Sequence, residues 1–228
     1  MKNTFYTILD FFLPRYCAGC SKKLSFGEPL ICSTCFDDIP PADPDRIEIE
    51  FERKFERSNF VQDFLSAYVY ESDGTLHNII HSLKYNKKFR LGILLGNKLA
   101  ETVKGINNKW RIDLILAIPL HHLKKAERGF NQSDFIVKGM ANSLKIPYSN
   151  KVLKRIRFTE SQTKLNLSER AQNVSGAFQV RQKKKINGRN ILLVDDVITT
   201  GATINECAKV LIENGANKVY SSSIAIAE

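Results

Sequence analysis

Apolar runs rich in β-branched residues alternate with segments of helical periodicity along most of this chain. The apolar runs predict strands at residues 65–70, 114–118, 191–194 and 219–226. Between them, apolar positions recur every three or four residues, which predicts helices at about 74–83, 91–103, 132–144 and 203–214. Gly215 is a natural stop for the last helix. This alternation predicts an α/β fold with a mostly parallel central sheet.

Composition divides the chain into three zones. Residues 1–40 carry paired cysteines, residues 41–60 form an acidic connector with several prolines, and residues 61–228 hold the alternating strands and helices. The prolines predict that the connector is extended. We interpret residues 1–13 as an amphipathic lead-in rather than a signal-like segment, since Asp10 interrupts their apolar run. No membrane span is expected, because no apolar run reaches the required length.

The polar segment at residues 151–182 has few periodic apolar positions. It predicts a long loop or a short hairpin above the sheet. Loops of that length are often functional, and this one is a candidate lid for a site on the sheet.

Five cysteines are present, and four of them form two C-x2-C pairs. Cys17 pairs with Cys20 and Cys32 with Cys35, with eleven residues between the pairs. This spacing predicts a structural zinc ribbon and fits a secreted disulfide framework less well. A closed shell of four sulfurs leaves no position for a catalytic water. Cys207 stands alone at helical spacing with apolar neighbours, which predicts a packed core thiol.

The formal net charge of the chain is +10, and the positive charges are clustered. The clusters lie at residues 84–90, 124–128, 151–157 and 181–189. Any one of them is explained by a solvated face. Four on one chain favour contact with phosphates, either of a small molecule or of nucleic acid.

The most specific segment is residues 191–203, which read ILLVDDVITTGAT. A buried strand carries Asp195 and Asp196 at its carboxyl end, and a turn rich in hydroxyls then opens a helix. Ligands of open α/β sheets bind at this edge. Backbone N–H groups of the turn can surround a phosphate, because Gly201 allows close approach, and the carboxylates can accept hydrogen bonds from ribose hydroxyls. The segment therefore predicts a sugar-phosphate site, with a plain acidic strand end as the alternative.

A second segment, residues 118–132, lies between a predicted strand and a predicted helix. Lys124 and Arg128 are candidates for binding a pyrophosphate, and arginine suits a forked contact. Asn131 is a candidate cap for the following helix. The histidines at 121–122 are as consistent with surface positions as with ligands.

A third segment runs from Leu153 to Leu165 and continues to Phe178. Together with the RGFNQ run at 128–132, the LKY run at 83–85 and the paired cysteines, it resembles the ComF family (ComFC/GntX-like) over nearly the whole chain. The 191–203 segment is similar to the phosphoribosyl pyrophosphate (PRPP) signature of type I phosphoribosyltransferases. One departure is Ala-Ile-Pro at 117–119, where the family commonly has Pro-Val-Pro.

The resemblance implies a type I phosphoribosyltransferase-like fold with an N-terminal zinc ribbon. It implies that Asp195 and Asp196 hold the ribose of PRPP and that Mg²⁺ bridges pyrophosphate and sugar oxygens. The residues implied for the 5-phosphate are Thr199, Thr200, Gly201, Ala202 and Thr203.

Two functions are consistent with these residues. The first is a cytoplasmic phosphoribosyltransferase that binds PRPP, or a related ribose phosphate, and is implicated in DNA uptake and natural transformation. The second is a non-catalytic, PRPP-sensing module that binds single-stranded DNA for the competence machinery, with a helicase or uptake proteins as partners. The nucleic-acid candidates are Lys154, Arg155 and Arg157, and PRPP turnover distinguishes the two functions.

Overall fold

The computed structural model describes residues 14–25, 27–158 and 172–227. The predicted lead-in at residues 1–13 lies outside these ranges. The strands are β1 (Phe64–Tyr70), β2 (Leu114–Ala117), β3 (Tyr148–Ser149), β4 (Leu153–Arg155), β5 (Phe178–Val180), β6 (Asn190–Ile198) and β7 (Lys218–Ala227). The helices are α1 (Ser33–Asp37), α2 (Pro44–Lys54), α3 (Thr75–Tyr85), α4 (Phe89–Lys104), α5 (Asn107–Trp110), α6 (His122–Arg128), α7 (Gln132–Leu144) and α8 (Ala202–Glu213).

The central sheet has the strand order β1-β7-β6-β2-β3, and every neighbouring pair is parallel. This confirms the predicted α/β fold. Each predicted helix is found within two residues at both ends, and α7 matches its prediction at both. Gly215 follows α8 with a φ of +100°, the left-handed conformation expected of a helix stop.

Two hydrophobic cores lie on the two faces of the sheet, because successive residues of a strand point in opposite directions. In β6, Leu192 and Val194 belong to one core, together with α3, α4, α7 and the cysteine-bearing segment. Ile191 and Leu193 belong to the other, together with α8 and the β4–β5 pair. Cys207 is fully buried in the second core, as predicted.

The connector differs from its prediction, because it contains the helix α2 instead of an extended chain. Pro44 occupies the first turn of α2, where a missing N–H costs nothing, and Asp43 caps the helix by accepting from the N–H of Arg46 at 2.8 Å. Pro44 therefore marks the start of a helix, whereas Pro41 lies in the non-helical stretch before it and forms an isolated bridge with Tyr68 of β1. Lys54, at the end of α2, donates from Nζ to the carbonyl of Ala227 at 3.0 Å and so ties the helix to β7.

The polar segment 151–182 contains the antiparallel pair β4–β5, and residues 156–177 separate its two short strands. Residues 159–171 of the candidate lid lie outside the described residues. Within the described ranges, no helix has both the length and the apolar character needed to cross a bilayer.

Candidate functional site

One cavity of about 230 Å³ opens at the carboxyl end of β6. It gathers the predicted sugar-phosphate residues and both pyrophosphate candidates, and it adds two cations, Lys84 and Arg155. The charged and turn residues that line it are Lys84, Lys124, Arg128, Arg155, Asp195, Asp196, Thr199, Thr200, Gly201, Ala202 and Thr203. The fold thus brings together four segments that are up to 119 positions apart, from residue 84 to residue 203.

The strand β6 is longer than predicted and includes both aspartates, because it pairs with β7 as far as Ile198 opposite Ile226. Asp196 is buried, and Lys84 of α3 places its Nζ 2.7 Å from Asp196 Oδ2. Burial alone would raise the pKa of Asp196, but the Lys84 ammonium and its hydrogen bond outweigh it and lower the pKa. Asp196 is therefore an ionised anchor that holds α3 against the end of the central strand.

Asp195 has different surroundings. Its Oδ1 accepts from Ser133 Oγ at 3.0 Å and from the N–H of Asp196 at 2.9 Å. Burial, followed by the adjacent Asp196 charge, raises the pKa of Asp195 to about 7. Asp195 is the partly exposed member of the pair. It is therefore the carboxyl better placed to accept a hydroxyl donor from a ligand in the cavity.

The turn at 199–201 leads directly into α8, and Gly201 is the residue before the helix. Gly201 has a φ of +74°, which favours glycine, and a Cβ at this position would lie 2.9 Å from Phe55 Cε1. Glycine offers no side-chain oxygen to cap α8. Among the described contacts, only the Ala202 N–H of the first turn has a side-chain acceptor, Thr200 Oγ1 at 3.5 Å, so the next backbone N–H groups of that turn remain as donors for an anion. This geometry suits a phosphate at the positive end of a helix.

The opposite side of the cavity is cationic. Lys124 and Arg128 lie on α6, and Arg155 ends β4 of the hairpin. Burial, together with the charges of Arg155 and Arg128, lowers the pKa of Lys124. Cations that repel one another in this way are stabilised by an anion placed between them. The predicted pyrophosphate residues therefore face a position where negative charge is favoured.

The residues around α6 and α7 have structural roles as well. Asn131 caps α7 by accepting from the N–H of Ser133 at 3.4 Å, as predicted, and donates to the carbonyl of Ile118 at 2.9 Å. His121 is buried and caps α6, whereas His122 is exposed. These contacts fix the turns on which Lys124 and Arg128 are carried.

The three nucleic-acid candidates have three different surroundings. Arg155 lines the cavity, and Lys154 is exposed beside a neighbouring depression. Arg157 donates from Nη2 to the carbonyls of Asn173 and Ser175, which fastens the two sides of the hairpin segment. Their predicted contact with nucleic acid stays a prediction.

Lys84 is the site residue that sequence reasoning did not assign. The sequence marked it as part of the LKY motif at 83–85 and as the first residue of the basic cluster at 84–90, but not as a partner of the aspartates. The buried carboxylate that it pairs with is 112 residues away in the chain, so only the fold shows the contact.

The four paired cysteines form a second candidate site. The sulfurs of Cys17, Cys20, Cys32 and Cys35 all lie within 4.8 Å of one another. A tetrahedral zinc with Zn–S bonds of about 2.3 Å requires sulfurs about 3.8 Å apart, and Cys20 and Cys32 are 3.8 Å apart. The Cys17 sulfur accepts from the N–H groups of Gly19 and Cys32, and backbone donors of this kind outweigh burial and lower the pKa of Cys17 to about 6. The four residues therefore fit a metal such as zinc.

The helix α3 lies between the two sites. At the cysteine site, Ser82 Oγ donates to the carbonyl of Ala18 at 3.3 Å, and Gly19 packs so closely that a Cβ would lie 2.9 Å from Thr75 Cγ2. At the cavity, Lys84 holds Asp196. A single short helix thus contacts both sites.

The parallel sheet and this cavity are those of a phosphoribosyltransferase-domain protein. The phosphoribosyl transferase domain family matches residues 133–226. The chain is 31% identical to DNA utilization protein YhgH of Salmonella typhimurium, covering 91% of this chain and 95% of that protein. It is 32% identical to competence protein F of Haemophilus influenzae, covering 64% of this chain and 66% of that protein. The chain therefore belongs to the ComF family, which includes these competence and DNA utilization proteins.

Among solved structures, the chain is similar to a glutamine PRPP amidotransferase from B. subtilis complexed with ADP and GMP. The identity is 21%, and the match covers 58% of this chain and 26% of that chain with a TM-score of 0.40.

Proposed function

We propose that this chain binds PRPP in the cavity at the end of β6 and acts in the cytoplasm in the uptake of DNA during natural transformation. The observation that carries the proposal is the composition of that one cavity. It combines a glycine turn at a helix start, a partly exposed carboxyl and a cluster of cations. These three features match the 5-phosphate, the ribose hydroxyls and the pyrophosphate of one ligand.

Each part of PRPP has candidate partners in this arrangement. The backbone at 199–203 would bind the 5-phosphate, Asp195 the ribose hydroxyls, and Lys124, Arg128 and Arg155 the pyrophosphate. The Lys84–Asp196 pair would hold the strand end in place. Mg²⁺, when bound with the ligand, would neutralise charge on the pyrophosphate through oxygen ligands.

The reaction that follows from such binding is transfer of the phosphoribosyl group. An acceptor would form a bond to the anomeric carbon as the bond from that carbon to pyrophosphate breaks, and pyrophosphate would leave with the bonding electrons. The cations on α6 and β4 would stabilise the charge that builds up on the leaving group. Release of pyrophosphate from PRPP in the presence of a panel of nucleobases would measure this activity.

The binding test compares thermal midpoints with and without magnesium PRPP. A ligand that binds only the folded state raises the stability by about 2.7 kcal/mol at a hundredfold excess over Kd, which corresponds to roughly 5–10 °C for a chain of this size. Gly201→Ala should abolish the rise, because the new Cβ meets Phe55 and displaces the turn.

The matched control is Gly188→Ala. Gly188 also has a positive φ, +68°, but no atom lies within 4 Å of a Cβ placed there. Both variants lose stability through backbone strain of roughly 1–2 kcal/mol, whereas only Gly201→Ala should lose the response to PRPP. A wild-type midpoint that magnesium PRPP leaves unchanged would refute the proposal.

We also propose that Cys17, Cys20, Cys32 and Cys35 bind a structural zinc ion.

Single-stranded DNA and other uptake proteins, such as a competence helicase, are the partners that we propose for the chain as a whole. A non-catalytic, PRPP-sensing module that binds single strands is the second candidate function, and an exposed row of aromatic rings on α3 favours it.

A further inference from the structure

A row of four rings follows one face of α3 and begins on β1. The Tyr70 hydroxyl and His77 Nδ1 are 2.9 Å apart, and the rings of His77 and His81 are nearly parallel with centroids 6.3 Å apart. The centroids of His81 and Tyr85 are 4.7 Å apart. Residues four positions apart on a helix lie on the same face, so these residues (Tyr70, His77, His81 and Tyr85) form a continuous strip, here called the ring strip.

The ring strip connects the two sites described above. At one end the guanidinium of Arg128, which lines the cavity, lies 5.3 Å from the centre of the Tyr85 ring. Beside its middle, His81 lines a cleft together with Cys20 and Ser21 of the cysteine site. A ligand on the strip would therefore reach from the cysteine site to the mouth of the cavity.

The exposed part of the ring strip does not serve the core. The face of α3 that anchors the helix carries Leu76, Ile79, Ile80 and Leu83, all of them buried. Tyr85 on the other face is 53% exposed, and His81 is exposed as well. Aromatic rings that are exposed in a row offer flat surfaces on which nucleic-acid bases can stack.

The charge beside the His81 and Tyr85 part of the strip favours a polyanion, whereas Glu71 and Asp73 lie close to Tyr70 in the chain at the other end. Lys87 and Lys88 follow Tyr85 after Asn86, and Lys22 and Lys23 follow the cleft residue Ser21. Single strands bind where cations meet the phosphates and rings meet the bases, whereas a duplex keeps its base faces stacked inside.

We propose that the ring strip is a stacking surface for single-stranded nucleic acid. Bases lie on His81 and on the part of the Tyr85 ring that Arg128 leaves exposed, and the backbone phosphates meet Lys87 and Lys88. The placement stands on the rings of β1 and α3 and on the lysines that follow α3. It rests on the proposed function only in that the bound oligonucleotide would lead toward the PRPP cavity.

The test measures binding of a fluorescently labelled oligothymidine of about 16 nucleotides by anisotropy at fixed salt. Tyr85→Ala and His81→Ala should each weaken binding about tenfold, since stacking contributes roughly 1–3 kcal/mol per base. Tyr85→Phe keeps the ring and should bind within about twofold of wild type. The matched control is Tyr148→Ala, which removes a ring that is 42% exposed on the edge strand β3, and it should also bind as wild type does.

The proposal would be overturned by no binding of the oligonucleotide by wild type, by full binding by Tyr85→Ala and His81→Ala, or by an equal loss in Tyr148→Ala. Competition by unlabelled duplex at the same concentration as by single strand would also overturn it. The His81→Ala variant is tested in parallel for its rise in thermal midpoint with magnesium PRPP, which should persist because His81 lies outside the cavity. If His81→Ala loses affinity for the oligonucleotide but keeps its response to PRPP, the two binding sites can be tested separately, and failure of one is distinguishable from failure of the other.

Discussion

At the scale of single residues, the two adjacent aspartates show how surroundings divide the roles of identical side chains. Asp196 is ionised because it contacts Lys84. Asp195 lies in the cavity next to the charged Asp196, and the described contacts give it no ion pair with a cation. Both positions were predicted to hold ribose. Their neighbours in the fold indicate that Asp195 is the better candidate for that role.

The raised pKa of Asp195 predicts that this carboxyl makes the folded state less stable as the pH rises. A carboxyl whose pKa is about 7 in the folded state, against an ordinary 3.8, stabilises the fold fully only below its unfolded pKa, and this contribution is lost as pH rises through 7. Asp195→Asn removes the effect. The thermal midpoint of Asp195→Asn minus that of wild type, measured without ligand, should therefore increase from pH 5 to pH 8.

The exposed Asp73 provides the control for this experiment. Asp73→Asn should keep the same difference from wild type at both pH values. If Asp195→Asn also kept a constant difference, the carboxyl would not titrate in this range.

At the scale of elements, the pattern of apolar positions predicted the helices well and the connector poorly. The helices α3, α4, α7 and α8 each bury an apolar stripe, which periodicity detects directly. By contrast, α2 has few apolar positions, and it is held by contacts with distant residues. One such contact is the 2.7 Å hydrogen bond from Asn205 Nδ2 to the carbonyl of Lys54, next to the turn at 199–201.

A buried ion pair within α2 gives a stability prediction. Glu50 is 2% exposed and lies 2.8 Å from Lys54 Nζ and 2.7 Å from Arg53 Nη2. Glu50→Gln leaves a buried ammonium without its carboxylate and should lower the free energy of unfolding by about 3 kcal/mol. Urea denaturation measures this loss.

The control removes an exposed ion pair from α4. Glu101 lies 3.2 Å from Lys98, and both side chains are largely exposed. Glu101→Gln should change the free energy of unfolding by less than about 1 kcal/mol. Equal effects of the two replacements would show that α2 is not anchored by its buried carboxylate.

At the scale of the whole molecule, α3 joins the cysteine site to the cavity through Ser82 and Lys84. A metal that holds the cysteine segment together should therefore also stabilise α3, which packs against that segment. Structural zinc contributes directly to folding free energy.

This arrangement predicts one zinc ion per chain, measurable by elemental analysis of the purified protein. Cys17→Ser should abolish the zinc and lower the thermal midpoint, because three thiolates leave the tetrahedral shell open. Cys207→Ser is the control, since this thiol is buried in the other core and should leave the zinc content unchanged. Protein without zinc, or zinc retained by Cys17→Ser, would contradict the site.

The sequence by itself determined the features that depend on neighbours along the chain. The two cysteine pairs, the strand followed by a turn and a helix at 191–203, and the amphipathic helices are all written in spacings of a few residues. Tertiary structure alone decided which distant residues meet. Contacts such as Lys84 with Asp196, α2 with the helix after the 199–201 turn, and Tyr85 with Arg128 depend on how packed elements are oriented. Local spacing carries no information about such contacts, and they are what turn separate motifs into one candidate site.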